Sequence, residues 1–577
     1  MSTELAAIDN ERSTKRAFTQ HAASLILPAI LVLIYAGWSL IAYRPYLESP
    51  WMLDDDHRQH LLAVYADLHP EDFREQFLVK YARAYLPPLY EKLLCAGSTF
   101  CDPLVFCKWL GMGLLLYSYV MAFFLGRTIG GPVAGLLTLA LVIHSEPIAE
   151  STYCGLFRSF SFPLGLTLLY GMAGQRNIFA LGSILVSAFL YPPAFMIFWL
   201  AYALWLLPEI PKLLRESRRP LWIFLSVSVL CATAVGWFMS RTSSLGERYT
   251  RQEAREMPEW NRPYGRLQEF PIQTRGKDFN HHLLSGLNGR NHGVSVVPKW
   301  TLPSGKVNMY IPWLWLMLLG AGLCIRPIPY WLVSFFLSGI FLYWFARQSF
   351  FTLGWPDRYL LYNLPLVMLL LLPLAWGASQ LLSLRTRILW RTGMLLMVAI
   401  IFLTTPLGLT LPGRCIINTE HMRDEWKALQ KLPSGSLLAG WPTDLDNIPI
   451  LSHKEVLVNF EHAYPLYKRH YTQVSERMND NLRLIFATNA AAARIVVKKY
   501  GLTHAFLNRT TLSHDGRTPG IFAPFNNKAS AMRHGSPPTA FLFNHVPEEY
   551  IIYKSEKFFV VDLARWLCIN PSAMENL

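Results

Sequence analysis

The segment Trp51–His60 has the sequence W-M-L-D-D-D-H-R-Q-H and begins a few residues after a long apolar run that ends at Tyr43. Its three aspartates therefore lie at a predicted boundary between membrane and water. Carboxylates this close raise one another's pKa, and one that faces the bilayer also loses hydration. Two explanations are open: the capping of a helix predicted from His57 to Leu68, or a general base or metal-facing carboxylate presented just outside the membrane. Capping uses one or two aspartates, not three.

The composition predicts an integral membrane protein. Of the 577 residues, 52% are apolar and 14% are aromatic. A membrane span needs about 20 apolar residues, and about eleven segments are candidates. They are 23–43, 104–125, 129–147, 157–173, 178–191, 193–207, 220–239, 310–325, 328–346, 359–383 and 392–411. The fifth and sixth are short and meet at Tyr191, which two prolines follow, so we predict a broken or re-entrant helix pair there.

The basic residues predict the orientation of these spans. Loops that alternate along the chain carry Lys and Arg with few acids, which favours the cytoplasmic side. These residues are Arg12, Lys15, Arg16, Arg127, Arg176, Lys212, Arg215, Arg218, Arg219, Arg326, Arg385, Arg387 and Arg391. We therefore expect residues 1–21 to form a cytoplasmic tail and the Asp54 loop to be exoplasmic. The same rule explains much of the net charge of +14, and no aromatic-basic motif of a nucleic-acid-binding module is present.

The chain after about residue 412 has the composition of a soluble domain. Helical and strand patterns alternate there, which predicts a small α/β domain over 412–577, and neither a GxGxxG nor a Walker motif occurs in it. The predicted fold is a polytopic α-helical membrane protein with about eleven transmembrane helices within 22–411. Its exoplasmic parts are a first loop at 44–102, a long loop at 240–308 and the C-terminal α/β domain, which would be periplasmic in a bacterium.

Arginines at span ends are a second group of candidates. Arg158 lies in G-L-F-R-S-F-S-F-P, where an apolar span follows and no acid is adjacent, and Arg347, Asp357 and Arg358 lie at another predicted boundary. Such an arginine either snorkels to lipid headgroups or binds an anion, for which a phosphodiester is suited. Neighbouring side chains on a helix do not face each other, so the sequence does not predict an Asp357–Arg358 pair.

Further polar residues are accessory candidates on the same predicted face. His144 and Glu146 end the third span, and Lys80 belongs to a basic juxtamembrane segment that Pro87 interrupts. A lone imidazole near an interface is readily hydrated, so His144 also fits a purely structural role.

Together these features resemble the GT-C superfamily of integral membrane glycosyltransferases. The resemblance rests on an acidic D-D motif that opens the first exoplasmic loop, two juxtamembrane helices, about ten further spans and a C-terminal exoplasmic α/β domain, and it covers most of the chain. In that superfamily the first-loop Asp activates the acceptor, and the donor is usually a polyprenyl phosphate or diphosphate sugar. The resemblance implies that Asp55, Asp56 or Asp54 is the base and that Arg158, Arg358 and Arg347 bind the donor phosphate. It also implies a glycan, lipid or protein acceptor.

The chemistry suits these residue types. An acceptor hydroxyl that attacks an anomeric carbon needs a carboxylate to take its proton, and a departing lipid phosphate needs cations. One carboxylate without a second nucleophile gives inversion at the sugar carbon. The sequence establishes no cofactor, although Asp54 and Asp56 with His57 or His60 are also a candidate site for a divalent cation, Mg²⁺ or Mn²⁺.

Two other classes of protein remain open. A transporter is expected to carry ionisable residues near mid-membrane, whereas the predicted spans hold almost none at their centres and Lys108 lies near an end. A non-catalytic scaffold or lipid-binding protein would keep the topology without needing the aspartate run.

Overall fold

The computed structural model describes residues 26–267, 327–349, 356–404, 416–513 and 520–567. The chain divides into two compact units. Unit 1 comprises Met1–Glu48, Cys107–Val235 and Asp278–Arg414, and unit 2 comprises Ser49–Phe106, Gly236–Lys277 and Cys415–Leu577. The first loop is therefore grouped with the C-terminal segment.

Helices account for most of the described residues. In chain order they are α1 Ile26–Glu48, α2 His57–His60, α3 Leu62–Leu68, α4 Phe77–Tyr85, α5 Pro88–Gly97, α6 Pro103–Gly130, α7 Pro132–Ile143, α8 Glu146–Thr152, α9 Ser161–Ala173, α10 Asn177–Leu190, α11 Pro192–Leu206, α12 Ile210–Glu216, α13 Arg219–Ser243, α14 Arg251–Glu256, α15 Tyr330–Gln348, α16 Asp357–Leu361, α17 Leu364–Ala378, α18 Leu384–Thr404, α19 Arg423–Gln430, α20 Ile448–Leu451, α21 Lys468–Ile485, α22 Ala490–Tyr500, α23 Arg509–Leu512, α24 Phe525–His534 and α25 Leu563–Trp566. The strands are β1 Met52–Asp54, β2 Ile416–Asn418, β3 Leu437–Gly440, β4 Glu455–Val456, β5 His504–Asn508, β6 Ile551–Lys554 and β7 Phe558–Asp562.

The apolar helices make this a helical membrane protein. Within the described residues, five helical segments are long and apolar enough to cross a membrane: Ile26–Glu48, Pro103–Gly130, Pro192–Glu216, Arg219–Ser243 and Asp357–Leu381. Three shorter apolar helices accompany them: Pro132–Ile143, Asn177–Leu190 and Tyr330–Ala346. The predicted span at 310–325 and the end of that at 392–411 lie outside the described residues.

Two predicted spans differ from the observed helices, whereas the predicted break between the fifth and sixth spans is observed. The span at 129–147 contains only the 12-residue helix α7, and that at 157–173 starts with a 3₁₀ turn, Phe157–Phe160, before α9. Helices α10 and α11 do break at Tyr191, whose backbone is extended because a proline follows it. The predicted span at 193–207 is too short, because the observed helical segment runs from Pro192 to Glu216.

A close backbone approach in unit 1 precedes Arg158. Gly155 has φ +67°, and a Cβ there would lie 1.8 Å from the carbonyl oxygen of Cys107 on α6. Only glycine accepts both the left-handed backbone and this contact. The turn that leads into the Phe157–Phe160 segment is thereby fixed against α6.

The sheet of unit 2 has five strands in the order β4-β3-β5-β7-β6. Strand β3 runs parallel to β4 and β5, whereas β7 is antiparallel to β5 and β6. Because β3 and β4 are parallel neighbours, the loops that follow them leave the same edge of the sheet. These loops carry residues that reach the aspartate motif.

The first loop joins the same unit through a second, two-stranded sheet. Strand β1 pairs antiparallel with β2, and Asp54 lies opposite Ile416. The sequence predicted one amphipathic interfacial helix from His57 to Leu68. That prediction is wrong, because the helix breaks at Leu61 and its polar side is packed inside the protein: Gln59 and His60 are buried as well as the apolar residues.

Glu455 on β4 fixes the start of helix α4. Its two carboxylate oxygens accept the backbone N–H groups of Glu75, at 2.9 Å, and Gln76, at 2.7 Å. We expect Glu455→Ala to lower the free energy of unfolding by about 1–3 kcal/mol, since two partly buried hydrogen bonds to its carboxylate are lost. The measurement is thermal unfolding of the purified protein in detergent. Glu556→Ala, at an exposed position, is the control, and an equal Tm for both variants would contradict the assignment.

Candidate functional site

The aspartate motif is tethered at its first residue. The Trp51 carbonyl accepts hydrogen bonds from the backbone N–H of Thr419, at 3.0 Å, and from its hydroxyl, at 2.7 Å. Strand β1 then carries the chain to Asp54 beside β2. The position of the motif is therefore set by the segment that follows the last apolar helix.

Asp54 organises the loop from inside. It is 0% exposed, and its Oδ1 accepts the backbone N–H of Asp56 at 3.1 Å. Its own N–H donates to Nδ1 of His57 at 2.9 Å. The proton of a neutral His57 ring consequently lies on Nε2, since Nδ1 acts as an acceptor. Asp56 occupies the N-cap position of α2, but its side chain makes no capping hydrogen bond.

Asp55 and Asp56 are both partly exposed, and the side chain of Asp55 is 50% exposed. Its carboxylate contacts Nη2 of Arg58, and its carbonyl accepts from Arg58 Nε at 3.1 Å. Arg58 also contacts Asp446 Oδ2 at 3.4 Å and Glu461 Oε2 at 3.2 Å. One guanidinium thus links Asp55 to two buried carboxylates of the C-terminal segment.

The second cation of this network is Arg266. Its Nη2 lies 3.8 Å from Glu461 Oε2, and its guanidinium stacks on the rings of Phe460 and Tyr464 at 4.0 and 4.3 Å. Burial raises the pKa of Asp446 to about 7, against the opposing effect of Arg58.

A basic cavity of about 630 Å³ lies elsewhere in unit 2. It is lined by Phe77, Lys80, Arg83, Ala84, Ser240, Arg241, Ser244, Leu245, Arg469, His470 and Gln473. Four of these are cations, and Glu91 neutralises two of them in part, with its oxygens 2.8 Å from Arg241 and 3.7 Å from Arg83. Within the described ranges, no carboxylate contacts the ammonium of Lys80. Burial lowers the pKa of His470 to about 4, so its ring adds no charge at neutral pH. The cavity therefore suits an anion.

Arg158 and Arg358 both lie in unit 1. Both guanidinium groups lie within electrostatic range of the Tyr362 hydroxyl. Arg358 lies 6.0 Å from the ring centre of Tyr191, the residue at the break between α10 and α11, and the rings of Tyr191 and Tyr362 meet edge to face at 5.5 Å. Two cations and two phenol groups thus gather where a helix pair is interrupted.

The remaining candidates are less informative. His144 is the C-cap of α7, a helix-end position, and is only 2% exposed. Nothing is described of the side chains of Glu146 and Arg347. The aspartates lie in unit 2, whereas Arg158 and Arg358 lie in unit 1.

The described residues do not favour the predicted divalent-cation site. Their one group with metal-like spacing is His69, Glu71 and Asp72, not Asp54 and Asp56 with His57 or His60. Asp72 already accepts a hydrogen bond from the Lys454 ammonium at 2.7 Å. A cation bound there would have to displace that ammonium or tolerate its repulsion, so we assign no metal to this group either.

Comparison with known proteins gives distant structural similarities. No protein-family model matches the chain, and no curated protein matches it. It is similar to the oligosaccharyltransferase AglB of Archaeoglobus fulgidus in complex with an inhibitory peptide and a dolichol-phosphate, at 10% identity and TM-score 0.47, over 91% of this chain and 72% of that one.

It is also similar to ArnT of Cupriavidus metallidurans. The apo state matches at 12% identity and TM-score 0.49, over 95% of this chain and 99% of that one. The state bound to undecaprenyl phosphate matches at 13% identity and TM-score 0.49, over 94% and 98%. AglB and ArnT are both membrane glycosyltransferases of the GT-C superfamily.

Sequence reasoning missed Arg58, Asp446, Glu461 and the cavity. Arg58 was visible inside the motif, and an arginine three residues after a solvent-facing aspartate on one helical turn is a recognisable pairing signal. The two acids gave no signal, because they lie 388 and 403 residues from Arg58 in the sequence.

Proposed function

We propose that this protein is a GT-C type membrane glycosyltransferase that transfers a sugar from a polyprenyl-phosphate-linked donor to an exoplasmic acceptor, with inversion at the sugar carbon. The observation that carries the proposal is that Asp54 and Asp55 have different environments in the aspartate motif. Asp54 is buried and holds the loop, whereas Asp55 is half-exposed and held by Arg58. A carboxylate in a fixed position and open to solvent is what a general base requires.

In this proposal Asp55 takes the proton of the acceptor hydroxyl. The hydroxyl oxygen forms a bond to the anomeric carbon from the face opposite the phosphate. The bond between that carbon and the phosphate oxygen breaks, and its electron pair leaves with the polyprenyl phosphate. Asp56, beside Asp55 at the start of α2, is the second candidate for the base, and Asp54 supports the loop.

Cations stabilise the departing phosphate in this scheme. Two groups are suited to the role. Arg158 and Arg358 lie within electrostatic range of Tyr362 in unit 1, and Lys80 lies with Arg83, Arg241 and Arg469 around the cavity of unit 2. Arginine offers two parallel N–H donors to a phosphate, whereas lysine acts as a point charge. Two of the cavity arginines, Arg83 and Arg241, already contact Glu91. We therefore assign the donor phosphate to Arg158 and Arg358 and treat Lys80 as accessory.

The test uses protein reconstituted in liposomes with radiolabelled polyprenyl-phosphate sugars and a mixture of membrane lipids and glycans as acceptors. A glycosyltransferase releases one free polyprenyl phosphate for each new glycosidic bond. Movement of intact donor across the bilayer, with no new bond, would instead identify a transporter. Donor binding with neither outcome would leave the scaffold interpretation and refute the proposed activity.

The location of the buried cation Lys108 argues against a transporter. Lys108 is fully buried but lies in the second turn of α6, with its ammonium 4.8 Å from the ring centre of Tyr46. A transport site is expected near mid-membrane, often at a broken helix. Described helices are interrupted at Tyr191 and at Tyr362–Asn363, and the liposome experiment tests directly whether such breaks serve transport.

A further inference from the structure

Two carboxylates of unit 2 compete with Asp55 for the charge of Arg58. Asp446 and Glu461 are only 3% and 4% exposed in their side chains, and Arg58 is 11% exposed. Asp446 Oδ1 also accepts the backbone N–H of Glu461 at 2.8 Å, which fixes the two acids relative to each other. Arg58 is therefore held on its buried side by two acceptors, Asp446 and Glu461, whose relative position is fixed.

The sheet explains why these residues meet. Asp446 follows β3 and Glu461 follows β4, and these strands are parallel neighbours. Their loops leave the sheet at the same edge, so residues that are distant from each other and from Arg58 in sequence converge there. The arrangement is independent of the side chains that cap α2, since Asp56 provides no capping bond.

We propose that Asp446 and Glu461 are positioning residues that hold Arg58 and thereby set both the orientation and the basicity of Asp55. This inference rests on the proposed function. Above about pH 7, where Asp446 is ionised, a guanidinium shared among three carboxylates neutralises each of them less than it would neutralise one alone. If either buried acid loses its charge, Arg58 pairs more completely with Asp55, and Asp55 becomes a weaker base in a different orientation.

The charged groups around this network have defined positions. Asp446 faces the cations Arg58 and Arg266 and the acid Glu461, and Glu461 faces the same two cations. His462, which follows Glu461, is buried with a pKa lowered to about 3, so it carries no charge at neutral pH. Asp55 is thus the network's only solvent-facing carboxylate among the described residues.

The test compares Asp446→Asn and Glu461→Gln with Asp444→Asn. Asp444 lies in the same loop as Asp446, but its described contact is with Asn508 at 3.5 Å rather than with Arg58. We expect the first two variants to lower kcat about 10- to 100-fold with KM nearly unchanged, because the base is misplaced. The acid limb of their kcat–pH profile should move to lower pH. Asp444→Asn should keep the wild-type limb.

Hydrogen–deuterium exchange of residues 51–60 gives a readout that does not depend on activity. We expect faster exchange in Asp446→Asn and Glu461→Gln and an unchanged rate in Asp444→Asn. Faster exchange in a protein without transferase activity would refute the proposed function and retain the positioning role. Wild-type exchange in this segment, or an acid limb that does not move while kcat falls in proportion to folded protein, would overturn the positioning role.

Discussion

Replacing Asp55 by asparagine should lower turnover by about 10²- to 10⁴-fold while the protein stays folded. The amide keeps the size of the side chain and an acceptor for Arg58 but cannot take a proton from the acceptor hydroxyl. The side chain is half-exposed, so the substitution disturbs little packing. The measurement is the initial rate of polyprenyl phosphate release, with the amount of folded protein determined by size-exclusion chromatography.

The other two aspartates serve as matched controls. Asp54→Ala should mainly reduce the yield and Tm of the folded protein, because it removes the buried Oδ1 that accepts the Asp56 N–H. Asp56→Asn should have the smaller effect if Asp55 is the base, and the larger effect if the roles are reversed. Full activity in all three variants would refute a first-loop general base altogether.

The second large effect is expected at Arg358. Arg358→Ala should cost about 2–4 kcal/mol of transition-state stabilisation, since charge on the leaving phosphate grows as the glycosidic bond breaks. Arg358→Lys keeps the charge but loses the two parallel donors, so its loss should be smaller. Arg158→Ala should behave like Arg358→Ala, because both guanidinium groups lie near Tyr362. The measurement is kcat/KM for the donor at a fixed acceptor concentration.

Arg176 provides the control for this experiment. Its guanidinium lies 4.8 Å from the ring centre of Tyr170, a contact of the same type as that between Arg358 and Tyr191. Arg176→Ala therefore removes an arginine stacked on a tyrosine without touching the proposed phosphate site. If Arg358→Ala and Arg176→Ala have the same kcat/KM as the wild type, Arg358 is only an anchor for lipid headgroups.

Local sequence signals predicted local structure well. Proline after Tyr191 forced an extended backbone and broke the helix pair, and short apolar runs indicated the strands that became β5 and β7. These outcomes follow from the sterics and composition of a few neighbouring residues. The same reasoning placed the acidic motif after the first apolar helix, which ends at Glu48.

Long-range pairings were beyond sequence reasoning. Strands β1 and β2 have three residues each, too few for a periodic signal, and they gain their stability from each other. The interfacial helix predicted from His57 failed for a related reason: its polar residues meet partners inside the protein instead of water. Asp54 is an example of such a long-range dependence. Its burial depends on β2, and its hydrogen bond to Asp56 depends on the turn that follows β1.

The β1–β2 ribbon also bears on how the protein is made. Trp51 and Thr419, which join at its end, are separated by 368 residues. At roughly 5–20 residues per second, a ribosome needs roughly 20–70 s after Trp51 to produce Thr419. During that interval the three aspartates have left the ribosome without the strand that shapes them. Chains that end before β2 therefore lack the strand that pairs with β1, and we expect them to show no transferase activity.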